Sequence, residues 1–270
     1  MNETKARLAC FELWGGNRAE DHPVELPGLE GWVYSAPLDP VSGGGDVHYF
    51  SVCSQGMVSR IALADVAGHG SHASSTANRL RRVLQRHTDN WDQSELMREV
   101  NEAFAREAVG SQYATAAVLG FYFETGELLF TNAGHPPALW YRSREDSWEL
   151  LQDTTPLAVD IEGLPFGLIP GTTYSQTGVR LGAGDVLVLY TDGISETSDS
   201  SGNELGHIGL LQLARTLAPK APSSDLSRDL LSAIADFRGD APRRDDETLI
   251  LLRHSTWPRV VLTDSAYRSF

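Results

Sequence analysis

Soft metal ligands, positive charge and long apolar runs are all scarce in this 270-residue chain. Its two cysteines, Cys10 and Cys53, are too few for a disulfide framework. Cys53 falls in a strand-like run and reads as a small buried hydrophobe. No cysteine–histidine cluster and no H-x-x-x-H pair is present, which excludes the common zinc sites. Basic residues number 22 against 36 acidic ones, a net charge of −14. That balance argues against nucleic acid and against an anionic membrane, because phosphate-bearing partners call for clustered Lys and Arg. The one dense basic run, Arg79, Arg81, Arg82 and Arg86, has helical spacing. It reads as a solvated helix face or, more sharply, as a docking surface for an acidic partner. No apolar run approaches a membrane span, and residues 1–13 lack the basic-then-apolar order of a signal peptide, so a cytoplasmic protein is expected. There is no G-x-S-x-G elbow and no Walker loop: Gly43-Gly44-Gly45 is not followed by Gly-Lys-Ser/Thr. Repeats and low-complexity linkers are missing too, which favours a single domain.

What the chain does contain is aspartate at the ends of apolar runs. In Leu63-Ala64-Asp65-Val66-Ala67-Gly68-His69-Gly70 an apolar stretch ends in a carboxylate and a glycine-containing turn follows. Asp46 comes after three glycines, Asp192 precedes Gly193, and Asp245 and Asp246 precede the apolar run 248–252. Singly, an aspartate in such a place is usually a turn former or helix cap. Together, with small neighbours that leave room for a hydrated ion, these residues suit hard, oxygen-seeking cations such as Mg²⁺ or Mn²⁺. The Val66 carbonyl is a further candidate oxygen ligand. Paired cations of this kind support hydrolysis of phosphate esters. His69 and His135 both adjoin glycine in tight turns, and His69 is read as structural or as a support for the ligands rather than a ligand.

Periodicity predicts a strand at 32–36 and a hairpin of 46–53 with 57–63, joined through Ser54-Gln55-Gly56. A helix is predicted at 71–87, with Ser71 as N-cap and Ala73, Ala77, Leu80 and Leu84 on one face. A second is predicted at 93–108, capped by Asp92, with Leu96, Val100, Ala103 and Phe104 inward. A meander of 113–123, 127–132 and 138–142 follows, then a strand at 148–151, a loop at 152–172 and an apolar strand at 185–190. Helices at 207–217 and 224–237 precede the last strand, 247–253. The expected fold is α+β: two antiparallel β-sheets packed as a sandwich and flanked by helix pairs. Residues 1–30 are expected as an N-terminal arm or an added edge element, 31–253 as the main domain and 254–270 as a C-terminal tail.

Five segments in this order resemble the SpoIIE-type branch of the PPM family of metal-dependent Ser/Thr protein phosphatases. They are Gly44-Gly45-Asp46, the Asp65–Gly70 stretch, Asn132-Ala133-Gly134-His135-Pro136-Pro137, Gly184 to Gly193 with Glu196 beyond it, and Asp245-Asp246-Glu247-Thr248. The resemblance implies a binuclear Mn²⁺/Mg²⁺ centre at one end of the β-sandwich. Asp65 would bridge the two ions with help from the Val66 carbonyl, Asp192 and Asp245 would complete one shell, and Asp46 would serve the other. A water between the ions would attack phosphorus in line. The implied substrate is a phosphorylated protein, such as a STAS-domain anti-sigma-factor antagonist. Two positions depart from the family. Tyr49 stands where many relatives carry a second acid, and Ala67 where the eukaryotic branch has a histidine. Residues 1–30 are too short for the usual sensor domain, so regulation is expected from a separate chain or a homodimer contact. The alternatives are a non-catalytic, partner-binding member of the fold and a hydrolase of small phosphate esters.

Overall fold

Residue alternation in the strands decides the layering. In β4 (Asp46–Cys53) and β5 (Val58–Val66), Phe50, Ile61 and Leu63 face one way, while Val47, Tyr49, Ala62 and Ala64 face the other. The first set joins a core between two sheets; the second lies under a helix pair. The computed structural model describes residues 11–53, 57–68, 70–87, 90, 92–107, 112–151 and 163–255. The 54–56 turn, His69, residues 1–10 and the tail beyond 255 lie outside them, and so do the expectations placed there.

One sheet has the order β1 (Phe11–Gly15), β4, β5, β6 (Ala114–Tyr122), β7 (Glu127–Ala133), β10 (Gln176–Arg180). The other runs β2 (Glu20–Leu26), β3 (Leu29–Ala36), β12 (Glu247–His254), β11 (Val186–Tyr190), β8 (Leu139–Arg142), β9 (Ser147–Leu150). Neighbours pair antiparallel throughout. Helices α1 (Gly70–His87) and α2 (Gln93–Glu107) cover the first sheet. After the short α3 (Asp192–Ser195), α4 (Gly206–Thr216) and α5 (Ser223–Arg238) cover the second. The result is the expected α-β-β-α sandwich. No helix among the described residues is long and apolar enough to cross a membrane.

The predicted inward faces of α1 and α2 are buried, and Asp92 caps α2, its Oδ1 accepting from Glu95 N at 3.1 Å. Helix α1 starts one residue before Ser71, at Gly70, whose φ of +73° closes the preceding turn. Three expectations change. First, 113–142 is not one meander: β6 and β7 stay in the first sheet, and β8 belongs to the second. Between them Pro136 and Pro137 offer no N–H to a ladder, so the chain leaves the sheet there. Second, the two alternatives for the N-terminal residues narrow to the added edge element: β1 and β2 are edge strands of the two sheets, Pro23 being tolerated because β2 has a neighbour on one side only. Third, the basic run on α1 is largely engaged within the molecule. Arg79 donates to the Glu107 carbonyl at 2.8 Å, Arg86 pairs with Glu107 at 2.5 Å, and Arg81 lies over the Trp14 ring. These contacts tie α1 to the end of α2 and to β1.

Candidate metal centre

Two carboxylates come from each sheet. Asp46 and Asp65 are direct cross-strand partners in β4 and β5, so their side chains share the face that looks across the sandwich. Asp192 opens α3 just beyond β11, and Asp245 lies just before β12, the strand paired with β11. Burial, followed by the charges of Asp46, Asp192 and Asp245, pushes the Asp65 carboxyl well above the usual carboxylate range, and a hydrogen bond with Asp192 adds to it. Asp46 is 1% exposed, and its carboxyl is raised to about 8, chiefly by burial, with Asp246 and Asp192 contributing. The four predicted ligands are therefore brought into one electrostatic cluster.

Hydrogen bonds fix this end of the sandwich. Thr191 Oγ1 donates across the sheets to Asp46 Oδ2 at 3.1 Å and accepts from Thr248 N at 3.0 Å. Asp246 is committed to backbone: its two oxygens accept from Leu38 N and Gly45 N, each at 2.6 Å, and so hold both ends of the loop that delivers Asp46. Close approach dictates two glycines. A methyl at Gly193 would sit 2.0 Å from the Asp246 carbonyl oxygen, and one at Gly45 would sit 2.7 Å from the Val66 carbonyl oxygen. Glu196, mostly exposed, has its carboxyl raised by partial burial and then by Asp192.

These residues fit divalent cations. Asp46 Oδ1 is buried without a hydrogen-bond partner, a costly state for a carboxylate oxygen unless a cation meets it. The donor set is oxygen throughout, as hard cations require. Among the described residues, no three acidic, cysteine or histidine side chains converge tightly enough to enclose an ion unaided. The carboxylates are instead coupled by mutual repulsion, the charges of Asp46, Asp192 and Asp245 all acting on Asp65.

Tyr49 bears less on the site than its position in the sequence suggests. It lies three residues from Asp46 and so on the opposite face of β4, packed beneath the helices with its ring 4.1 Å from that of Trp14. Sequence reasoning missed Thr191, Thr248 and the clamping role of Asp246. The Asp245-Asp246 doublet carried the signal for the last, since adjacent residues at a strand start face opposite ways.

His135 is buried between the sheets, and burial lowers its imidazole to about 3. Its pH effect follows from that direction. The folded chain refuses a proton that the unfolded chain accepts below about 6.5, so stability falls as pH drops from there towards about 3, by about 1.4 kcal/mol per pH unit. Asp46, raised, slopes the opposite way, so a difference between variants isolates the histidine. In urea melts, wild type loses stability relative to His135→Gln as pH falls from about 7.5 to about 4. A pH-independent difference would refute this burial of a neutral ring.

The sandwich and its acidic end define the class: this is the fold of the PP2C phosphatases. The PP2C phosphatase domain with a fragment of the regulatory domain of the cell-fate determinant SpoIIE from Bacillus subtilis matches with a TM-score of 0.66 at 18% identity, over 84% of this chain and 64% of that one. The RsbU and RsbW domains of a Mycobacterium tuberculosis protein match with a TM-score of 0.74 at 25% identity, over 92% of this chain and 65% of that one. The chain belongs to the stage II sporulation protein E (SpoIIE) family, whose model matches residues 56–255. Phosphoserine phosphatase RsbP of Bacillus subtilis (strain 168) is 26% identical over 197 residues, 71% of this chain and 45% of that protein. The chain thus spans less than half the length of that curated relative.

Proposed function

We propose that this chain is a divalent-cation-dependent phosphatase acting on phosphoserine or phosphothreonine in a protein. The observation that carries the reading is the split acidic cluster, two aspartates from each sheet, with a buried and unpartnered oxygen on Asp46. Family membership and the name of the relative RsbP, a phosphoserine phosphatase, support it. Asp65 would bridge two Mn²⁺ or Mg²⁺ ions together with the Val66 carbonyl, Asp192 and Asp245 would complete one shell, and Asp46 would hold the other. Bound there, the ions supply an activated water and neutralise charge on the phosphoryl group.

The protein's own part is positional. Thr191 holds Asp46 to the second sheet, and Asp246 fixes the loop before Asp46. Gly45 and Gly193 let backbone approach the cluster. With the attacking water supplied by the ions, this chain would need no nucleophile of its own. The proposed substrate is a phosphorylated STAS-domain anti-sigma-factor antagonist met in the cytoplasm, with regulation by a separate chain or a homodimer contact. Tyr49 was the support for a non-catalytic reading; its place on the far face of β4 removes that support.

The test is phosphate release from a phosphoserine protein and from a generic aryl phosphate, each with Mn²⁺ and with excess EDTA. Release from the phosphoprotein that needs Mn²⁺ and stops with EDTA is expected. Full activity in EDTA would sink the metal mechanism. Turnover of the aryl phosphate alone would favour a small-ester hydrolase, and turnover of neither a binding protein.

A further inference from the structure

Against Thr115, the cross-strand neighbour of Asp65, sits a histidine that the proposed reaction does not use. His135 is 5% exposed. Asn132 holds its backbone on both sides, accepting from His135 N at 2.6 Å and donating to its carbonyl at 2.8 Å. The ring is therefore delivered to one place by the turn that carries the chain from the first sheet to the second.

That place lies beside strands of both sheets that lead to proposed ligands. His135 Nδ1 lies 2.9 Å from Thr115 Oγ1. Thr115 is the cross-strand partner of Asp65, so the two side chains stand beside each other on one face, and both keep an opening to solvent. On the other side the ring meets the Tyr190 backbone carbonyl, at the end of the strand that leads through Thr191 to Asp192. This second contact falls short of full hydrogen-bond geometry, since Nε2 has no partner that meets it. The Nδ1–Oγ1 contact, whichever atom donates, fixes where the threonine hydroxyl stands beside Asp65.

We infer that His135 and Thr115 are a positioning pair for the metal centre, setting the spacing between the ligand-bearing strands and orienting the hydroxyl beside Asp65 so that divalent cations bind tightly. The inference rests on the metal-dependent reading above. Neither residue is a ligand. Their effect passes through Asp65 and through the Tyr190–Asp192 strand end, as supporting hydrogen bonds do at other metal centres.

The test is Mn²⁺ binding by isothermal titration calorimetry on the full chain, with thermal melts of the metal-free protein alongside. Thr115→Val keeps the side chain's shape and removes the hydroxyl. It is expected to weaken Mn²⁺ binding by about tenfold or more while leaving the metal-free melt close to wild type. Thr115→Ser restores the hydroxyl and is expected to bind like wild type. His135→Gln is expected to weaken Mn²⁺ binding to a similar degree, and carries the comparison should Thr115→Val fail to fold. Wild-type affinity in Thr115→Val and His135→Gln would overturn the pairing, and so would a Thr115→Ser variant as weak as Thr115→Val. A wild-type chain that binds no Mn²⁺ would overturn the metal reading itself, a result distinct from variants that bind as well as a competent wild type.

Discussion

Asp65→Asn is expected to abolish turnover of a phosphoprotein at saturating Mn²⁺, and yet to melt higher than wild type once metal is stripped away. The two halves of this result have one cause. Asp65 stands among Asp46, Asp192 and Asp245, and its carboxyl is raised by burial and then by those charges. The amide removes one member of a mutually repelling set, so the metal-free fold gains. Each kcal/mol gained moves the melting midpoint by about 2–4 °C in a domain of this size. The same change removes the anionic bridge proposed between two cations. Loss of a preorganised electrostatic element of this kind costs roughly 10²–10³-fold in rate, and a bridging ligand is expected to cost at least that. Calorimetric melts in EDTA and phosphate-release assays in Mn²⁺ read the two effects separately. A variant with near wild-type kcat would show that Asp65 is not a ligand, and a lower metal-free midpoint would show that the cluster is not repulsive.

Asp246→Ala is expected to damage both fold and activity. Its carboxylate accepts from Leu38 N and Gly45 N at 2.6 Å each, and it is 3% exposed. Alanine leaves both donors without their partner, at about 1–3 kcal/mol apiece. A destabilisation of roughly 2–5 kcal/mol follows, offset in part by relief of repulsion on Asp46. Gly45 immediately precedes Asp46, so the variant that still folds should bind Mn²⁺ weakly. Asp246→Asn keeps one acceptor oxygen and should fall between. Denaturant midpoints and Mn²⁺ titrations decide the matter; an alanine variant within about 0.5 kcal/mol of wild type, the range of an ordinary surface change, would remove the clamp from the account.

Most of the sandwich was legible because its core strands and helices have clean periods. The β11 segment Val186–Tyr190 is apolar at every position and is buried on both faces, and α1 and α2 bury the residues their spacing indicated. The edge strands were read unevenly: β9 was expected at 148–151, but β10 was not. In β10, Gln176–Arg180, none of the residues is buried, so there is no hydrophobic signal to read. The switch of sheets after β7 was missed for another reason: a proline turn between two strands looks alike whether the strands become neighbours or part company. At the site, the aspartates announced themselves through their glycine neighbours. Thr191 and Thr248 did not, because a threonine beside a strand end is ordinary until a second sheet is laid across it.

Hydrophobic contact is non-directional, so the apolar layer between the sheets resists their separation better than their sliding. The proposed ligands are divided across that plane, with Asp46 and Asp65 on one side and Asp192 and Asp245 on the other. On the proposed reading, ions held by both pairs would add a second tie across that plane beside the Thr191–Asp46 hydrogen bond, so that cation binding would brace the two layers against one another.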